Sequence, residues 1–247
     1  MEYNFELQKL YENFGNHILI SLCKDYNNYF SFNEGNKSKL SKHLNLYRFS
    51  EIIETVCYSL IRNGKYKLHY VIEQVKNKSV IKFYIKDIAN YDKISFSMPK
   101  TVMTNKVRKK ILKKLKYLNY NKMISKNSGD INKLKLLGEM QKNAVLKIGK
   151  MCNPFYINNF TYFDYYTDYY CIYRKAENMI YQRKLVDYVL NEINKTLSIL
   201  FNLDEKDKIN FNGISIVELE DIIADLKEYK TPLPDITTKL YQKEQIK

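Results

Sequence analysis

Tryptophan is absent, proline occurs four times and glycine seven times in 247 residues. So little glycine and proline excludes a collagen-like or linker-rich chain. No apolar stretch approaches the roughly 18–20 residues that cross a bilayer, so no membrane span is expected. The four cysteines, Cys23, Cys57, Cys152 and Cys171, form no C-x-x-C pair and have no histidine at ligand spacing. That argues against a zinc site and reads as buried thiols in a reducing compartment. The start, Met1-Glu2-Tyr3-Asn4, lacks the basic-then-apolar layout of a signal peptide, and an intracellular location is the expectation. There is no G-x-S-x-G, no H-E-x-x-H and no dinucleotide fingerprint, so no catalytic residue, cofactor or metal is assigned.

What is present is a globular composition, 45% hydrophobic and 14% aromatic, enough for one large domain or two small ones. Asn, Lys, Tyr and Ile are abundant, the pattern of an AT-rich gene. The net charge is +14, and it is concentrated. Residues 1–99 carry +4, residues 100–150 carry 15 Lys+Arg against 2 Asp+Glu, and residues 151–247 carry −3. A uniform coding bias would not gather the excess into one fifth of the chain.

Periodicity divides the chain into a helical and hairpin region (1–99), a basic helical region (100–153) and a third region (154–247) holding an aromatic segment, a long helix, a short strand, a helix and a tail. The segment from residue 3 to 32 begins with a helical period, and 33–39 reads as a loop. Ser50 is the expected N-cap of an apolar helix that Asn63-Gly64 stops. Alternation then switches to period two: strands around Leu68–Glu73 and Val80–Lys86 form a hairpin, and Ile94, Phe96 and Met98 a third short strand closed by Pro99. Helical spacing returns from Thr104 and again over 134–151. A long helix is expected over 171–201, a strand at Ile209–Phe211, a turn at Asn212-Gly213, and a helix from Ile216 opened by the capping box Ser215/Glu218. Pro232 and Pro234 suggest an extended tail. The fold class is α+β, predominantly helical, with a small antiparallel sheet at about 66–98 flanked by long amphipathic helices.

The candidate binding residues are Lys106, Arg108, Lys109, Lys110, Lys113, Lys114 and Lys116, on a helix whose apolar face carries Val107, Ile111, Leu115 and Leu118. Clustered ammonium groups attract a phosphate backbone without reading bases. The tyrosine-rich run 155–173 lacks interleaved Lys or Arg before Arg174 and carries Asp164 and Asp168, which favours packing over base stacking. Arg62 and His69 have a spacing seen in HEPN-type ribonucleases, but Gly64 interrupts the helix between them. Asp204-Glu205-Lys206-Asp207 lacks the glycine and terminal glutamate of a calcium loop and reads as a solvated interhelical connection. Gly35-Asn36-Lys37-Ser38 lacks the upstream glycine of a phosphate loop, and His17 and His43 read as ordinary polar residues.

The block from Ile52 through Ile61-Arg62-Asn63-Gly64-Lys65 to Tyr70, a helix, a Gly-Lys corner and a strand opening a hairpin, resembles the wing region of tailed-bacteriophage portal (connector) proteins. The later order of helices, connecting segment, long helix and short strand is compatible with it. The chain is shorter than is usual for that family and basic where portal channels are often acidic. The resemblance implies a homo-oligomeric ring, usually of twelve copies, at a capsid vertex of a virion assembled in the bacterial cytoplasm. Double-stranded DNA would pass along its axis, the packaging motor and tail adaptor proteins would dock on it, and it would have no catalytic residues. Two other readings remain: a small basic DNA- or RNA-binding protein, such as a replication or regulatory factor, and a HEPN-like ribonuclease using Arg62 and His69.

Overall fold

The computed structural model describes residues 29–33, 35–104, 106, 109, 165–228 and 230–242; among them lie five strands and four α-helices, an α+β arrangement. Strand β1 (Phe30–Phe32) is followed by two 3-10 turns, Gly35–Lys37 and Lys39–Lys42. Helix α1 spans Phe49–Asn63. Strands β2 (Lys65–Val75), β3 (Lys78–Tyr84) and β4 (Asp92–Ser97) come next. Helix α2 (Tyr165–Phe201), strand β5 (Ile209–Phe211), helix α3 (Ile216–Glu228) and helix α4 (Leu233–Gln242) complete the order.

Helix α1 ends where the sequence says it must. Gly64 adopts φ 77°, and its N–H donates to the Leu60 carbonyl, closing the last turn in the left-handed conformation that glycine adopts without a Cβ clash. The start differs from expectation. Phe49 has to enter the core, where its ring meets Phe30 edge-on at 5.2 Å, so the helix begins there and Arg48, not Ser50, is the N-cap. Ser50 lies inside the first turn with its hydroxyl buried and unpaired.

Strand β2 is the centre of an antiparallel sheet ordered β3-β2-β4. The hairpin turn is the two-residue pair Lys76-Asn77, both at positive φ (50° and 61°), the geometry whose twist matches the flanking strands. The alternation in the strands sorts the faces. Leu68, Ile81, Ile94 and Phe96 turn inward and are buried against α1 (Ile53, Val56, Leu60) and the C-terminal half of α2 (Leu185, Val189). A fully buried aliphatic side chain of this kind contributes about 1.5–3 kcal/mol. His43 ties β3 into this core: its Nδ1–H donates to the Ser79 carbonyl at 2.8 Å and its ring stacks on Phe201 at 4.3 Å.

Strand β1 pairs antiparallel with β5, Phe30 opposite Phe211 and Phe32 opposite Ile209. The helical start expected for the segment 3–32 lies outside the described residues, as do the helix expected over 134–151 and the polar break before it; Phe30–Phe32 is a strand whose partner lies about 180 residues further on. Helix α2 begins at Tyr165, six residues before the expected start, and its 37 residues reach about 55 Å. It serves two cores in series. Its C-terminal half closes the first, and Ala176, Met179 and Ile180 pack with Leu219, Ile222 and Leu226 of α3 and Ile236 and Leu240 of α4 to form the second.

The capping box forms as read: the Ser215 N–H donates to Glu218 Oε2 at 2.9 Å and the Glu218 N–H donates to Ser215 Oγ at 3.2 Å. The tail is not extended. Pro232 and Pro234 stand at the entry of α4, where the missing N–H groups would have had no intrahelical partner, and Leu233, Ile236 and Leu240 carry the helix onto the second core. The Asp204–Asp207 connection, between a helix and a strand, is likewise not all solvated. Asp207 is buried, and its Oδ1 accepts from Ser38 Oγ (2.9 Å) and the Lys39 N–H (2.7 Å).

Candidate functional site

The outward face of the sheet follows from the register. Lys65 and Lys67 of β2 stand opposite Ser97 and Ser95 of β4, and His69 stands opposite Lys93. Residues directly opposite share a face, so three lysines and two serines gather on the side away from the core. Lys65, Lys67 and Lys93 are exposed and have no ion-pair partner among the described residues. Lys82 on β3 differs: its Nζ lies 2.6 Å from Glu73, whose carboxylate raises the ammonium pKa through the hydrogen bond and the charge.

A cleft of about 520 Å³ opens here, where β2 runs past the end of β3. Lys65, Lys67 and Ser95 supply its polar rim and the exposed Ile85 its apolar side, with Tyr66 and the backbone of Phe96 beside it. The Tyr66 hydroxyl donates to the Ile85 carbonyl at 2.7 Å, which fixes the segment leaving β3. Burial, and then the nearby Asp87 carboxylate, push the Tyr66 phenol up, so it stays a donor. His69 forms part of the cleft wall, with Nε2 3.0 Å from Asp87 Oδ1 and a buried Nδ1 that has no partner among the described residues. The cleft thus offers exposed cations, hydroxyls and an apolar side: the chemistry of a surface that receives carboxylates or phosphates beside an apolar group.

Of the seven basic residues singled out by sequence, Lys106 and Lys109 are helical and exposed, three positions apart and so on neighbouring ridges of one face. Arg108, Lys110, Lys113, Lys114 and Lys116 lie outside the described residues, as do His17, Cys23, Cys152, Asp164 and residues 155–164 of the aromatic run. The described end of that run belongs to α2. Tyr173 packs against the second core and its hydroxyl donates to Glu177 Oε1 at 2.9 Å.

Arg62 sits in the last turn of α1 and His69 in β2, on two elements separated by the Gly64 corner. The partner of His69 is instead Asp87, which sequence reasoning did not single out. Cys57 is fully buried in the first core, and burial pushes its thiol far above the ordinary range, so it is an inert packing group. Among the described residues no cluster of three His, Cys, Asp or Glu could hold a metal, and no helix is long and apolar enough to cross a membrane. Comparison with protein-family models, with curated proteins and with solved structures gives no match.

Proposed function

We propose that the chain is a subunit of an oligomeric ring of the portal (connector) type, through which double-stranded DNA enters and leaves a phage capsid. The observation that carries this reading is the corner at Gly64: an apolar helix turns through a left-handed glycine directly into a small antiparallel sheet, with the 37-residue α2 packed behind it. That order of helix, Gly-Lys corner and hairpin is the one by which the chain resembles portal wings.

A ring multiplies each side chain by the copy number. Lysines at 106, 109, 110, 113, 114 and 116 and Arg108 would then form a positive band. Such a band holds duplex through its phosphates and fixes no register, so the duplex slides. The capsid shell, the packaging motor and the tail adaptors are the partners that the family implies.

Negative-stain electron microscopy of the purified full-length chain tests the proposal. Rings of uniform diameter with an axial opening are expected. Monomers or dimers at every concentration, binding DNA with strong salt dependence, would replace the ring with a small nucleic-acid-binding protein.

A further inference from the structure

Two exposed patches of opposite sign have no neutralising partner among the described residues. The basic one is the outer sheet face, with Lys65, Lys67 and Lys93 around the cleft. The acidic one lies on α3. Helical spacing puts Val217, Glu220, Asp221 and Ala224 on one stripe, and all four are exposed. Glu220 and Asp221 have no ion-pair partner among the described residues. Their neighbours on the same helix are engaged: Glu228 pairs with Lys230, and Asp225 lies 3.9 Å from Lys239.

Val217 is the second feature of the stripe. It is 66% exposed and lies on the side of α3 away from Leu219, Ile222 and Leu226, which are buried in the second core. It stands one turn from the two carboxylates. The cleft on the sheet presents the complement, an apolar side at the exposed Ile85 beside two exposed ammonium groups. The one carboxylate at the cleft, Asp87, is held by His69 Nε2.

We infer that the acidic α3 stripe of one copy docks on the basic sheet face of the next, with Val217 in the cleft and Glu220 and Asp221 against Lys65 and Lys67. The inference rests on the ring reading and adds the contact that builds it. The two patches are different surfaces of the same chain, so the contact is head-to-tail; such contacts form a ring where the rotation between copies closes and an open filament where it does not, and the ring reading requires closure.

The test is charge reversal with exchange. Lys65→Glu/Lys67→Glu and Glu220→Lys/Asp221→Lys are made as separate full-length proteins, and their far-UV circular dichroism is compared with the parent to verify folding. Native mass is then measured for each protein, for the equimolar mixture, and for a chain carrying all four changes. Juxtaposed like charges cost several kcal/mol, so each double variant should need more than about 100-fold higher concentration to assemble. In the mixture every interface again has opposite signs if the copies alternate, and the quadruple variant restores the pairing within one species. Both should return to the mass of the parent.

A parent ring with both double variants also forming rings overturns the docking and leaves the ring standing. Lost assembly that neither mixing nor the quadruple variant restores also overturns it. A parent that stays monomeric overturns the ring reading and the docking together.

Discussion

The side-chain amide of Asn194 pairs with both backbone groups of Ile209: Asn194 Nδ2 donates to the Ile209 carbonyl at 2.9 Å, and the Ile209 N–H donates to Asn194 Oδ1 at 2.9 Å. Helix α2 thereby supplies the edge that β5 lacks. Ile209 stands opposite Phe32 at a position where the ladder bonds to β1 fall on either side, at Asn33–Lys208 and at Ser31–Asn210. Its own N–H and C=O therefore point at α2. Asn194→Ala leaves both unpaired and should cost about 1–3 kcal/mol in urea unfolding. Asn194→Asp should cost at least as much, since a carboxylate cannot donate to the carbonyl. A loss below about 0.5 kcal/mol in both variants would contradict this pairing.

Asp207 and Ser38 make the second long-range clamp. One carboxylate oxygen takes both the Ser38 hydroxyl and the Lys39 N–H and so holds the 3-10 turn against the segment entering β5. Asp207→Ala should destabilise by about 1.5–3 kcal/mol, and Asp207→Asn by less because its carbonyl oxygen still accepts. Equal losses in the two variants would show that the charge, and not the acceptor geometry, matters.

Arg183 is held between Asp187, at 3.2 Å, and the face of Phe211, 3.9 Å from the ring centroid. Its Nη1 is buried without a partner among the described residues. Burial raises the Asp187 carboxyl and lowers the guanidinium, each opposed by the charge of the other. The folded state therefore binds the Asp187 proton more readily than the unfolded chain does. As pH falls from the raised value towards the ordinary 3.8, the wild type should gain stability relative to Asp187→Asn. Urea unfolding of the two proteins across that window checks the sign, and a relative loss on acidification would contradict it.

Gly64 is the residue on which the sheet's orientation turns. At φ 77° any Cβ is strained, so Gly64→Ala should cost about 1–2 kcal/mol, and Gly64→Asn less. Thermal unfolding in parallel would show it, and an unchanged midpoint for the alanine variant would mean that the corner relaxes freely.

Reversing Lys106 and Lys109 together should lower the salt dependence of duplex DNA binding. Each phosphate contact adds about 0.9 to the slope of log K against log salt, so a drop of nearly 2 is expected, with native mass unchanged. An unchanged slope removes these two residues from the DNA-contacting set.

Local features of the fold were legible where the chemistry was local. Gly64, the alternation of β2 and β3 and the Ser215/Glu218 box each act within a few residues, and each lies where the sequence puts it. What escaped depends on distant partners. The strand at Phe30–Phe32 needs β5, the burial of Asp207 needs Ser38, and α4 forms despite Pro232 and Pro234 because the second core receives Leu233, Ile236 and Leu240. The same holds for the site. In the sequence Lys65 belongs only to the Gly-Lys corner, and Lys67 precedes the strand expected from Leu68. Their meeting with Ser95, Ser97 and the His69–Asp87 pair depends on β4 returning along β2 and on the chain leaving β3 toward the cleft.

The native mass of the full-length chain at physiological salt addresses the central claim most directly. A single large assembly is expected, roughly 355 kDa for twelve copies of 29.6 kDa. A mass of one or two chains that persists as concentration rises would contradict the ring.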